Sequence, residues 1–305
     1  MKYLTKKVIK GKSYYYLQYE NYTKNIGHFL PDDLKSIFFT FFQEIATKKF
    51  KNFPKNIKKD FRYLNVQHVE KTKFWYLLLK HELFEREHHD FYKKFIVLFT
   101  YHSNKTEGSK TKKKDIEEMD PWTTRKPVTK TEVEILHSFM AFHHAFSDDM
   151  KWNVKNIRQV HRLLLEKLDP IIAGQWKKEN NIAPSNDTTT DFREVPHAMN
   201  RLIHWLRTEM KNDTYPPMLA LQFYCTFEKI HPFLDGNGRV GRILCNSILD
   251  KFGYPPVIFF TDNKTEHSSA LRAFSEGRPM KMYKHFLNQL KKTYKALGYN
   301  LEKFS

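Results

Sequence analysis

The chain has 305 residues, with 52 Lys and Arg against 34 Asp and Glu, for a formal charge of +18. That length can bury a full core and suggests two domains, or one with appendages. No run of eighteen apolar residues occurs, so no membrane-spanning helix is expected, and the opening residues lack the apolar stretch of a secretory signal.

In chain order, residues 5–10 and 13–19 are β-prone and flank Gly11-Lys12, which reads as a type II′ hairpin. A third short strand at about Lys24 to Leu30 would complete a meander. Pro31-Asp32-Asp33 then starts a helix with Leu34, Ile37, Phe38, Phe41 and Ile45 on one face. The pattern stays helical to Thr100, including Phe74 to Glu87 and His89 to Phe99, and its aromatic stripe reads as core. After a Pro-containing linker at Pro121 to Val128, a helix spans Thr129 to Phe146, with Val133, Leu136, Phe139, Met140 and Phe142 inward. Another covers Asn153 to Leu168 and closes at Asp169-Pro170. Residues 174–194 show no apolar period, and so long a loop between helices usually carries function. Helices resume at Val195 and run to about Lys251, Gly253 to Pro256 is a turn, and two or three helices follow. The expected fold is all-α, a helical bundle with a β-hairpin flap, a small N-terminal β-hairpin or meander and accessory helices.

Cys225 and Cys245, the two cysteines, both sit in apolar helical sequence, so buried free thiols and a cytoplasmic setting are expected. His81, His88, His89, His143 and His144 fall into no metal-ligand spacing. The lysines spread over the whole chain without clustered arginine or zinc spacings, a charge pattern of general, non-specific attraction.

The chemistry concentrates in His231-Pro232-Phe233-Leu234-Asp235-Gly236-Asn237-Gly238-Arg239-Val240-Gly241-Arg242. Apolar residues at helical spacing lead in and resume after it, so it reads as a loop between two buried helices, with Gly236 to Arg239 opening the second. Amide groups at a helix start are unpaired and carry the positive end of the dipole, which favours phosphate there. Two glycines let the backbone curl and let oxygens approach closely.

This segment resembles the signature of the Fic (Fic/Doc) family, H-P-F-x-D/E-G-N-G-R-x-x-R, at all nine of its fixed positions. The resemblance implies transfer of AMP from ATP with Mg²⁺ to a protein hydroxyl. His231 would take the hydroxyl proton, Asp235 would hold the metal, and Asn237 would orient the α-phosphate. Gly236, Gly238 and Arg239 would offer backbone amides where charge develops. Arg239 would serve the β-phosphate and Arg242 the γ-phosphate, with Phe233 as an anchor in the core. Gly at position 238, where Doc-type toxins have Lys, favours adenylyl transfer over phosphorylation.

Upstream, Ser103-Asn104-Lys105-Thr106-Glu107-Gly108 resembles the family's inhibitory motif, S/T-x-x-x-E-G/N. Ser103, Glu107 and Gly108 match its fixed positions, and Glu107 would form a bidentate pair with Arg242. The same six residues also read simply as a helix end with a glycine cap. By resemblance a flap near Trp176 to Pro184, including Asn181, Ile182, Ala183 and Pro184, would pair with an extended target segment. Further segments, Pro170 to Gly174, Met199 to Trp205, Leu249 to Pro256 and Ala270 to Phe286, are similar to the family in order.

The implied layout is residues 1–30 a β meander, 31–97 accessory helices, 98–290 the Fic domain and 291–305 a tail. The chain departs from the family at Trp176-Lys177, where relatives often carry Arg. In the adenosine pocket, His267 and Ser275 stand in place of Tyr and Asn, and His267 is the expected contact. The expected protein is an autoinhibited adenylyltransferase acting on a hydroxyl-bearing segment of a target and on itself, with homodimerisation allowed. De-AMPylation at the same residues and a DNA-associated, nucleotide-sensing role are the alternatives.

Overall fold

The computed structural model describes residues 3–51, 66–80, 85–181, 188–212 and 214–298. Contacts divide the chain into one unit built on residues 1–92 with 253–255, and a second of 93–252 with 256–300.

In the first unit, strands β1 (Leu4–Ile9), β2 (Lys12–Tyr19) and β3 (Tyr22–Gly27) form an antiparallel meander in that order. Leu4 faces Leu17 and Ile9 faces Lys12. The ladder from β2 to β3 slips by one residue between Tyr15 and Tyr16. The first turn differs from the expected Gly11-Lys12 loop. Lys12 already pairs with Ile9, so the turn is Lys10-Gly11, at φ 49° and 75°. Positive φ at both central residues is the type I′ geometry that matches strand twist. The third strand ends at Gly27, short of Leu30. Alternation sends Leu4, Leu17, Tyr15, Tyr19, Tyr22 and Ile26 to one face, where α1 (Leu34–Lys51) presents Phe38, Phe41, Phe42 and Ile45. Helix α2 (Val66–Leu79) closes this core, Phe74 stacking on Phe42 at 5.7 Å. The expected helix from Phe74 to Glu87 stops at Leu79, and residues 52–65 and 81–84, His81 among them, lie outside the described residues. Helix α3 (Glu85–Thr106) extends beyond the expected His89 to Phe99 and leads into the second unit.

The second unit contains α4 (Lys113–Glu117), α5 (Lys130–Phe146), α6 (Val154–Leu165), α7 (Val195–Glu209), α8 (Pro216–Ile230), α9 (Asn237–Lys251), α10 (Lys264–Ser275) and α11 (Met280–Ala296). Thr129 caps α5 in a capping box with Glu132, and Asn153 caps α6. Pro216-Pro217 starts α8, where a missing N–H does no harm. The inner stripe of α5 runs through Ile135, Phe139, Phe142 and Ala145, while Met140 is 38% exposed. The inward face is thus shifted from the expected Val133, Leu136 and Met140. Helices α8 and α9 form an antiparallel pair at the centre, with α7 and α10 on α8 and α5 on α9. Helix α11 continues through residue 291 to Ala296, so the expected tail is helical up to there. No described helix is long and apolar enough to cross a membrane.

Candidate active site

The motif loop joins α8 to α9 by a tight, self-bonded path. His231 ends α8 in the left-handed region, φ 51° and ψ 62°, with its N–H on Phe227 O at 2.9 Å. A non-glycine residue there costs about 1–3 kcal/mol and persists only where its surroundings hold it. Phe233 supplies the hold: it is fully buried, stacked on the His161 ring at 3.7 Å and tilted against Trp176 at 5.0 Å. Phe233 N donates to Asn237 Oδ1 at 2.8 Å, and Asn237 Nδ2 donates back to Phe233 O at 2.7 Å. Both ends of its amide thus close the loop, and the second Nδ2–H is left for the α-phosphate contact expected of it. Gly236, at φ 77°, caps α9, whose first amides face the loop with no side-chain cap.

His231 is 8% exposed, and its Nδ1 lies 3.3 Å from Glu228 O. A carbonyl only accepts, so Nδ1 carries the proton and Nε2 presents its lone pair. Burial pulls the imidazole down to about 4, so it is neutral near pH 7. Behind it stands a residue the sequence reading missed. Glu228 is buried, its Oε1 has no hydrogen-bond partner among the described residues, and its Oε2 lies 3.9 Å from His231 Nδ1. Burial pushes this carboxyl up to about 8, with Arg242 opposing and Glu107 adding to the shift. Glu228 is therefore a neutral acid at pH 7. A Cβ on Gly241 would stand 2.8 Å from Glu228 Oε1 and 3.0 Å from the Tyr224 ring, so glycine is needed there.

On the other side of the loop, Arg239 Nη2 donates to Asp235 Oδ2 at 2.9 Å, while Arg239 Nε is buried without a partner among the described residues. A buried, unpaired guanidinium donor is costly to leave unmet and points to an anion. The Asp235 side chain is 59% exposed and has a second carboxylate oxygen. No cluster of three His, Cys, Asp or Glu occurs among the described residues. One exposed carboxylate fits a Mg²⁺ that brings most of its oxygens with a triphosphate, and does not fit a metal caged by protein. A cavity of about 510 Å³ opens here, bounded in part by Glu107, Lys130, Glu134, Leu165, Asp235 and Arg239, within the size range of small-ligand sites.

Ser103 and Glu107 reach the same place from the end of α3. Arg242 Nε donates to Ser103 Oγ at 3.1 Å, and Arg242 Nη2 donates to Ser103 O at 3.0 Å and Glu107 Oε1 at 2.7 Å. The expected bidentate pair is thus a three-bond clamp with one contact to the carboxylate. Gly108, at φ 89°, ends the helix as its cap, so the cap reading and the contact with Arg242 coexist. Gly238 makes the contact possible, because a Cβ there would lie 2.2 Å from Glu107 Oε1. The Glu107 carboxylate occupies the start of α9.

The described part of the flap is anchored through its base. Lys177 N donates to Pro232 O at 2.9 Å, and Lys177 Nζ donates to Asn181 Oδ1 at 2.8 Å and Thr189 Oγ1 at 2.7 Å. Burial pulls this ammonium down to about 8. Asn181 Nδ2 donates to Phe233 O at 3.0 Å, so Asn181 staples the flap to the motif. Ile182, Ala183 and Pro184 lie outside the described residues. His161, also missed in the sequence, ties flap entry to loop: Gly174 N donates to its Nδ1 at 2.8 Å and its Nε2–H donates to Asp235 O at 2.9 Å. Its only sequence signal is a histidine on the buried face of an amphipathic helix. His267 proves to be a core residue. Its Nε2 meets Tyr224 OH at 2.7 Å and its Nδ1 meets His285 Nε2 at 3.2 Å, leaving no ring nitrogen for a nucleotide. Cys225 and Cys245 are buried free thiols.

Residues 151–249 match the family described as Fic/DOC. A protein adenylyltransferase Fic of Drosophila mojavensis is 33% identical over 124 residues, covering 41% of this chain and 24% of that protein. The corresponding protein of Drosophila ananassae is 31% identical over 128 residues, covering 42% and 26%. This chain spans about a quarter of the length of these curated relatives. Among solved structures, a Fic domain containing signaling protein from Bacteroides thetaiotaomicron superposes with a TM-score of 0.63 at 20% identity, over 77% of this chain and 98% of that one. Fic-1 (residues 134–508) from C. elegans gives 0.62 at 20% identity, over 88% and 77%. Likeness at that identity shows a shared fold.

Proposed function

With a Fic/DOC-family domain in residues 151–249 as the premise, we propose that this protein is an autoinhibited protein adenylyltransferase. It transfers AMP from ATP to a Ser, Thr or Tyr hydroxyl of a target segment and of itself. The observation that carries this reading is the buried Arg242, reached by Ser103 and Glu107, on a helix whose uncapped start lies beside a neutral His231. In the reaction His231 Nε2 takes the hydroxyl proton as the oxygen attacks the α-phosphorus. The new O–P bond forms as the bond from the α-phosphorus to the bridging oxygen breaks, and pyrophosphate leaves. Amides at the start of α9 and the unpaired Arg239 Nε meet the phosphate oxygens. Asp235 would hold a magnesium ion, whose charge would offset that of the α- and β-phosphates. Glu107 opposes all this by occupying the arginine and the space over Gly238 that a γ-phosphate needs.

The test is the intact mass of wild type and Glu107→Gly after incubation with Mg²⁺ and ATP, with a hydroxyl-bearing peptide present. An added adenylyl group, more abundant in Glu107→Gly, is expected. Absence of any adduct on protein or peptide in either form, with ATP bound, would overturn the reading.

A further inference from the structure

The sheet of the first unit has two unlike faces. One carries Leu4, Leu17 and Tyr19 against α1, and there Lys24 Nζ pairs with Glu44 at 2.9 Å. The register puts Lys7, Lys12, Gln18, Thr23 and Asn25 together on the other face, all exposed, beside exposed Ile9 and the half-buried Thr5, Tyr14 and Tyr16. Residues 1–30 hold six lysines and one acidic residue, Glu20. Among the described residues no carboxylate pairs with Lys7 or Lys12, so this face keeps its positive charge while the α1 face neutralises one of its own.

Shape narrows the partner. The outer strands of the sheet lie roughly 10 Å apart axis to axis, and β-sheet readers lay their strands in the DNA major groove, about 12 Å wide. The aromatic faces are already covered: Lys7 Nζ sits 5.3 Å over the Tyr16 ring, and the His28 ring lies 4.1 Å from that of Tyr14. Unpaired bases need open rings to stack on, whereas a duplex needs cations for its phosphates and polar side chains for base edges. Lys7 and Lys12 supply the first; Gln18, Thr23 and the Nδ2 donors of Asn25, whose Oδ1 accepts from Gly27 N at 2.8 Å, supply the second. We propose that this bare face of the β1-β2-β3 sheet binds double-stranded DNA, with the sheet lying in the major groove. The site is independent of the proposed transfer reaction and uses none of its residues.

Fluorescence anisotropy of a labelled random-sequence duplex with the full chain tests it, at salt from ~50 to ~200 mM, where phosphate contacts lose affinity steeply. The double variant Lys7→Glu/Lys12→Glu should weaken binding roughly tenfold or more and lower the salt slope by ~2. Thr23→Ala/Asn25→Ala should weaken binding with the slope unchanged. Lys251→Glu/Lys291→Glu, an equal charge change on exposed lysines of the second unit, should alter it little. Self-modification by Lys7→Glu/Lys12→Glu at the wild-type rate, or unchanged thermal melting if no self-modification occurs, establishes that the variant is folded. No binding at ~50 mM salt would overturn the proposal. So would equal losses from the two lysine pairs, or tighter, Lys7-dependent binding of single-stranded RNA.

Discussion

The core of the first unit and the surroundings of the motif in the second are built from different chemistry. The core of the first is a set of rings, Tyr3, Tyr19, Phe38, Phe41, Phe42 and Phe74, with the Tyr3–Phe42, Tyr19–Phe42 and Phe42–Phe74 centroids 5.4–5.7 Å apart. Each buried ring contributes about 1.5–3 kcal/mol with no directional demand, so many apolar sets would serve. The interior around the motif is polar: His161, Glu228, His231, Asn237, Arg239 and Arg242 are all buried. Directional bonds pair most of these groups, and a changed partner leaves a desolvated donor or acceptor behind. Substitutions in the ring core of the first unit should therefore move stability alone, and those around the motif should move rate as well.

His231→Ala puts the largest effect on that contrast. Loss of the base should lower transfer by ~10²–10⁴-fold, with the melting temperature little changed. Phe42→Leu should do the opposite, losing about 1–3 kcal/mol of stability with the rate per folded molecule kept. Transfer of label from α-³²P-ATP and thermal melting, measured on both variants, separate the two. A rate loss in Phe42→Leu comparable to that in His231→Ala would erase the distinction.

Glu107→Gly should come next, and with the opposite sign. One charge-assisted contact from Arg242 Nη2 is removed, about 1.5–3 kcal/mol, which is roughly tenfold to a hundredfold in self-modification. Ser103→Ala removes a single neutral bond from Arg242 Nε and keeps the carbonyl contact, so its gain should be only a few-fold, about 1 kcal/mol or less. Arg242→Ala should be nearly inactive, and adding Glu107→Gly should not restore it. Equal activity in wild type and Glu107→Gly would mean that the clamp inhibits nothing.

The sequence disclosed these two regions unequally, for reasons that the residues themselves show. Helices with a strong apolar period were legible, as was the meander, because burial on one face writes itself into spacing. The hairpin turn and the inner face of α5 slipped by about a residue, since pairing and packing, which decide them, are not local. In the site, motif letters located the loop but could not say which atoms do what. Asn237 also closes the loop on the backbone of Phe233, and His267 is spent on Tyr224 and His285. His161 and the contacts of Lys177 stayed hidden because their partners, Asp235 and Pro232, lie 74 and 55 positions along the chain. Glu228 was near enough, one helical turn before His231, yet only burial makes its carboxyl unusual.

His161→Phe tests the hidden link between flap and loop. Phenylalanine keeps a ring for Phe233 to stack on and removes the bonds to Gly174 N and Asp235 O. Stability should fall by about 1–3 kcal/mol, and a displaced Asp235 should lower the transfer rate by roughly tenfold. Unchanged rate at unchanged Mg²⁺ dependence would make His161 a packing residue like those of the first unit.

The smallest change in rate, and the most telling in pH, should come from Glu228→Gln, which keeps the shape and removes the titration. The folded carboxyl is pushed up to about 8 from its ordinary value of 4.5. Between those values the folded state holds a proton that the unfolded state has lost, so this residue's contribution to stability declines as pH rises, by up to ~1.4 kcal/mol per unit. The decline ends once pH passes the folded value. His161 and His231, each pulled by burial from 6.5 to about 4, act the other way. The unfolded state binds more protons between 4 and 6.5, so their contribution rises with pH there and is complete above 6.5. Both histidines remain in Glu228→Gln, and their effect cancels in the difference between the two proteins. That difference should start near zero at about pH 4.5, grow in favour of glutamine through the neutral range, and level off near pH 8. Thermal or urea melting across pH 5–9 reads it directly. Were Glu228 instead ionised and paired with Arg242 in the folded protein, glutamine would be the less stable form at neutral pH, and the neutral acid behind His231 would have to be abandoned.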